Sequence, residues 1–103
     1  MAYWLVRARP KEERLAELRR ELERGGYVKL RPFGRTLTAS LRRARRHEDG
    51  LAVWEEEDYC VPPLKEERAA VLDRFFDDIE VKAVAEGEGW ERIESLPRLF
   101  PGL

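Results

Sequence analysis

This sequence predicts an α+β domain, on three observations. Strand-like apolar stretches occur at Ala2–Ala8, Leu51–Glu57 and Ile79–Glu86. Between them lie two segments whose large apolar residues recur at helical spacing: Leu15, Leu18 and Leu22, then Val71/Phe75 and Leu72/Phe76. The two halves meet at Leu51-Ala-Val-Trp-Glu-Glu-Glu-Asp-Tyr-Cys-Val-Pro-Pro63, which begins apolar, turns acidic and ends on a proline pair that opens a new element.

In order along the chain, Tyr3, Trp4, Leu5 and Val6 give the first strand enough apolar bulk for a central position covered on both faces. Pro10 fits the first helical position, and Glu12 and Glu13 suit the positive end of a helix dipole. That helix stops at Gly25-Gly26. Tyr27 to Arg31 alternates in the manner of a short half-buried strand, closed by Pro32-Phe33-Gly34. Segment 36–48 reads as a connector helix, because past Thr38 it is built of Ala, Leu and Arg with no β-branched residue. A strand over the same residues is the alternative, and Asp49-Gly50 closes either one.

Leu51 to Glu57 is the next strand, and Leu64 to Phe76 is a helix with a broad apolar face. Ile79 to Glu86 alternates as a last strand. The tail from Trp90 to Leu103, broken by Pro97 and Pro101, is expected to wrap with Trp90, Ile93 and Leu96 toward the body. Two β-α-β halves joined by a connector match the split β-α-β plan of ferredoxin-like domains, a four-stranded sheet with two main helices. Residues 1–103 form one domain, with 89–103 packing on the body or on a partner.

Composition narrows the function classes. Twenty Lys and Arg meet 21 Asp and Glu, so the net charge of −1 gives no global field for nucleic acid or an anionic membrane. Asn and Gln are absent and Met occurs only at position 1, a depletion of thermolabile residues expected of a thermophilic prokaryote. The lone Cys60 precludes an intramolecular disulfide and fits a reducing cytoplasm. No run has the length or apolarity of a signal peptide or membrane span.

Four groups of residues are candidates for chemistry. Arg42, Arg43, Arg45 and Arg46 carry guanidiniums suited to phosphate, set against the possibility that acidic residues neutralise them. In the acidic run, consecutive strand carboxylates point to opposite faces, so only Glu55/Glu57 or Glu56/Asp58 can converge. Asp73, Asp77, Asp78 and Glu80 gather where the second long helix ends, against its dipole, a place for an arginine of another subunit. Cys60 would need His47 nearby to act as an activated nucleophile. Trp54, Glu56, Asp58, Tyr59, Cys60 and Trp90 are the expected pocket or interface.

With one histidine and no calcium-loop spacing, no metal ligand set is assigned. No glycine loop for phosphates and no cofactor motif occurs, and no catalytic residue is assigned. The leading expectation is a non-catalytic binding module that forms a homo-oligomer, a dimer in the first instance, through its open sheet face. The alternatives are an RNA- or DNA-binding module using Arg42–Arg46, and a small-molecule enzyme around Cys60 and the acidic strand.

Overall fold

The computed structural model describes residues 2–103. Its frame is a four-stranded antiparallel sheet in the order β2-β3-β1-β4. Strand β1 (Tyr3–Pro10) is central. It runs antiparallel to β3 (Ala52–Glu57) on one side and to β4 (Phe76–Val84) on the other. Strand β2 (Arg45–Arg46) pairs with Val53 and Ala52 at the far edge. Because β3 and β4 both oppose β1, they are parallel to each other with β1 between them.

Register decides which residues meet the core. Val6 lies opposite Trp54 and Val81, whereas Leu5 lies opposite Glu55 and Lys82. Directly opposed residues share a face. Trp4, Val6, Ala8, Ala52, Trp54 and Glu56 therefore point one way, and Tyr3, Leu5, Arg7, Val53, Glu55 and Glu57 the other.

The first face carries the main core. Helix α1 (Leu15–Arg24), entered through a 3-10 turn at Glu12–Arg14, contributes Leu18 and Leu22. The crossover from β3 to β4 contributes Leu72, Phe75 and Phe76. It comprises α3 (Lys65–Glu67), a π-helical stretch (Arg68–Leu72) and α4 (Asp73–Phe75). Trp54, fully buried, tilts against Phe76 with ring centroids 5.2 Å apart. Helix α2 (Gly34–Arg42) packs on β3 and adds Leu37 and Leu41 to the same core. On the opposite face, α5 (Glu88–Ile93) covers β3, where Val53 and Ile93 are buried. The tail continues past β2, with Leu99 N–H donating to the Ala44 carbonyl, and buries Leu99 and Phe100.

Several expectations need correction. Tyr27 to Arg31 is not a strand. Leu30 N–H donates to Tyr27 O and Gly34 N–H to Leu30 O, so the chain winds through successive turns into α2. Tyr27 is buried and Leu30 and Phe33 are half-buried, a spacing of three rather than two, while Val28 is exposed. The second strand is instead Arg45–Arg46, and the connector helix ends at Arg42. Pro10 belongs to β1, and β4 begins at Phe76, three residues earlier than the alternation suggested. Asp77, Asp78 and Glu80 consequently lie on a strand rather than at a helix end. Asp73, Asp77 and Asp78 pair with Arg68, Lys11 and Arg9 of the same chain.

Candidate functional site

Two alternations, one in a strand and one in a helix, place carboxyl groups inside the protein. Along β3, Ala52, Trp54 and Glu56 share the core face, so Glu56 takes a core position and is 0% exposed. Trp54 Nε1–H donates to Glu56 Oε1 at 3.1 Å, and Glu56 Oε2 has no partner among the described residues. Along the crossover helix, Leu64, Glu67 and Val71 are spaced three and four apart, which puts Glu67 on the apolar face. It too is 0% exposed, with Oε2 unpartnered.

Asp58 lies between them, just past the end of β3. Its Oδ2 accepts from Leu64 N–H at 2.7 Å and from Cys60 N–H at 3.1 Å. Those two bonds fold the Val61-Pro62-Pro63 segment back over the strand end. They also hold Leu64 in the left-handed region at φ 66°, an unusual conformation for a side chain that is itself fully buried. The Cys60 thiol points toward Glu66 Oε1 at 3.5 Å and Glu67 Oε1 at 3.8 Å. Asp58, Cys60 and Glu67 each bring one ligand-type atom within 4.8 Å of the others.

These groups line a cleft of about 440 Å³ whose other wall is Pro32 and Phe33 from the turn leading into α2, with Thr36 from the first turn of α2 itself. Burial, then the negative charge of Glu67, lifts the Glu56 carboxyl well above the usual range. Burial, then the hydrogen bond shared with Asp58, pushes Glu67 up to about 8. Asp58 also suffers from burial, but its bonds with Glu67, Leu64 N–H and Cys60 N–H outweigh this and lower it. At Cys60 a backbone hydrogen bond at Glu66 pulls the thiol down, while burial and the charges of Asp58 and Glu67 raise it overall. At neutral pH the Asp58 carboxylate thus lies beside a Glu67 carboxyl and a Cys60 thiol that hold their protons. Such a site attracts cations and does not activate a thiol nucleophile, which needs electropositive surroundings.

Of the residues singled out from sequence, Glu56, Asp58, Tyr59 and Cys60 come together here, with Trp54 beneath them. Tyr59 forms the rim and is 63% exposed. Its hydroxyl donates to Glu57 at 2.7 Å, which pushes its own pKa up to about 12. Trp90 stands apart, in a shallow groove with Tyr3 and Glu86, where the Arg43 guanidinium sits 4.0 Å over its ring.

The other arginines of the run have internal partners. Arg42 donates to Leu22 O, Arg45 to Leu96 O, and Arg46 to both carboxylate oxygens of Glu12 and to Gly50 O. Glu55, on the outer face, accepts from Gly87 and Gly89 N–H and so caps α5. His47 sits in the β2–β3 turn beside Asp49, at the other end of β3 from Cys60. Six strand residues separate the two positions by about 20 Å.

Sequence reasoning missed Glu67, Glu66 and Phe33. The signal for Glu67 was present: a carboxyl at a helical position whose neighbours three before and four after are Leu64 and Val71. No family model, no curated protein and no solved structure matches this chain.

Proposed function

We propose that this chain is a small non-catalytic binding module that takes a positively charged ligand in the cleft between the Pro32–Phe33 turn and the Asp58–Glu67 segment. One observation carries the reading. Glu56 and Glu67 are both fully buried, and each keeps one carboxyl oxygen without a partner among the described residues, in or behind the cleft floor. A buried, unpaired polar oxygen costs about 1–3 kcal/mol, a cost that a bound cation would offset. Phe33 and Tyr59 on the walls add aromatic surface that also favours cations.

The test is thermal unfolding of the protein against a panel of organic amines, guanidines and divalent metal salts. At least one class should raise the midpoint by several degrees, and Glu67→Gln should abolish the shift. A panel without any stabiliser, or a shift that survives in Glu67→Gln, would sink the reading.

The scaffold for this site is, in our reading, a variant of the ferredoxin-like split β-α-β plan. Its support is the pair of interleaved crossovers, in which β3 lies between β1 and β2 and β1 lies between β3 and β4. The two-residue β2 and the added α2 are its departures.

Self-association is the second reading. The observation that favours it is the outer edge of β4, nine residues long and paired on one side only. Such an edge is a template for a second strand. Light scattering should then give a dimer at high protein concentration, and a strict monomer would count against it. The enzyme alternative has less support, since the Cys60 thiol is raised and His47 is remote.

A further inference from the structure

We infer that Asp58, Cys60 and Glu67 form a site for one divalent transition-metal ion of the Zn²⁺ or Co²⁺ kind, with its open coordination position facing the cleft. The inference rests on the cation-binding reading above and names the ion. It goes against the sequence expectation that no metal ligands are present.

Spacing supports it. A tetrahedral ion bound through sulfur and oxygen at ordinary bond lengths separates those two atoms by about 3.5 Å. Cys60 Sγ and Glu67 Oε1 are already 3.8 Å apart, and the three donors fall within 4.8 Å of each other. Contraction of the donor set by about 1–1.5 Å around an ion completes the shell.

Orientation is built in for two of the three ligands. Two backbone N–H groups hold Oδ2 of Asp58 and so fix its carboxylate in place. Glu67 is fixed by complete burial on a helix. Cys60, on the loop, is the ligand that moves.

A second observation, independent of the triad, points to the same occupant. Glu56 is 0% exposed and bears an Oε2 without a partner among the described residues. A buried carboxyl oxygen without a partner is costly, and a cation beside it lowers that cost. Glu56 stands behind the triad rather than serving as a fourth ligand.

Donor chemistry selects the ion. Mg²⁺ and Ca²⁺ take all-oxygen shells with many ligands, whereas a thiolate with two carboxylates suits a borderline ion at low coordination number. Three protein ligands and an open position on a cleft of about 440 Å³ leave room for a water or a small anionic ligand on the metal.

Co²⁺ is the probe. The full chain, freed of metal with chelator and dialysed, is titrated with CoCl₂ and followed by absorption. The expected result is one ion per chain with a thiolate-to-cobalt charge-transfer band in the near ultraviolet. Zn²⁺ should displace it, while excess Mg²⁺ or Ca²⁺ should not. Cys60→Ser should remove the band, and Glu67→Gln should weaken binding at least tenfold.

Absence of the charge-transfer band in the wild-type protein overturns the metal assignment, whatever the variants do. Binding that Cys60→Ser and Glu67→Gln leave unchanged in folded protein overturns it equally. If the band is absent but an organic cation still stabilises the protein in a Glu67-dependent way, the cleft reading stands and the metal falls. If neither is seen, both fall.

Discussion

Glu67 and Asp58 show how one hydrogen bond divides two carboxyls into opposite roles. Asp58 collects the two backbone donors, Leu64 N–H and Cys60 N–H, so it carries the charge. Glu67, buried beside that charge, keeps its proton to about pH 8. The consequence for stability has a definite sign. An unfolded glutamate loses its proton near pH 4.3, so between that pH and about 8 the folded state binds the extra proton and stability falls as pH rises. Glu56, raised well above the usual range, acts in the same direction. Asp58, lowered, acts in the opposite one: its contribution is present above the ordinary aspartate range and is lost only on further acidification. The facing groups Glu66 and Cys60 bring no positive charge that would reverse this balance. In chelator, the thermal midpoint should therefore be highest near pH 4–5 and decline by several degrees toward pH 9. Glu67→Gln, neutral at every pH, should flatten much of that decline. A midpoint that rises steadily from pH 5 to 9 in the wild-type protein would refute the assignment of protons in this cluster.

At the scale of elements, the turn from Tyr27 to Gly34 positions the Phe33 wall of the cleft. Its path is set by one close approach. A Cβ on Gly34 would collide with the Tyr27 carbonyl oxygen and sit 2.9 Å from that of Val28. Both obstacles are backbone, held in place by the buried Tyr27 side chain and by Gly34 N–H donating to Leu30 O. Gly34→Ala should accordingly cost about 2 kcal/mol or more, within the range for overpacking a core, and should reduce stabilisation by any cleft ligand. Urea unfolding measures the first effect, and a loss below about 0.5 kcal/mol would show that the turn can yield. The same turn shows what the sequence made legible. Long periodic segments such as Leu15–Leu22 and the alternation in Ile79–Glu86 carry their own signal, because many residues repeat one spacing. Tyr27–Arg31 is five residues long, and its alternation and its three-residue spacing both fit; only the contact at Gly34, seven residues from Tyr27, decides between them. Likewise strand geometry allowed either Glu55/Glu57 or Glu56/Asp58 to converge, but the meeting of Asp58 with Glu67 is set by how the crossover helix returns over β3, which no local pattern records.

At the scale of the whole molecule, positive and negative charge are equal to within one, and several ion pairs join separate elements. Arg46 ties β2 to the start of α1 through Glu12, Arg7 reaches Asp49 in the β2–β3 turn, and Arg9 and Lys11 hold β4 through Asp78 and Asp77. Such half-exposed pairs are each worth about 0–1 kcal/mol. Their larger effect is to occupy cations that phosphate would otherwise find. The Arg42–Arg46 run illustrates this: two guanidiniums donate to backbone carbonyls, one stacks on Trp90 and one is forked onto Glu12. Binding to nucleic acid through these side chains would require breaking contacts that hold α2, β2 and the C-terminal tail together. Arg45→Ala should therefore lower stability by about 1–3 kcal/mol, because the Leu96 carbonyl loses a charged donor. Fluorescence anisotropy with labelled single-stranded RNA should show no saturable binding even at about 50 mM salt, where phosphate contacts are strong. Binding that appears there, weakens steeply toward 200 mM salt and vanishes in a folded variant with all four arginines replaced by Ala would show that the run exchanges its internal partners for phosphates. In that event the tail beyond α5, which Arg45 and Arg98 help to anchor, would be the part of the molecule that moves.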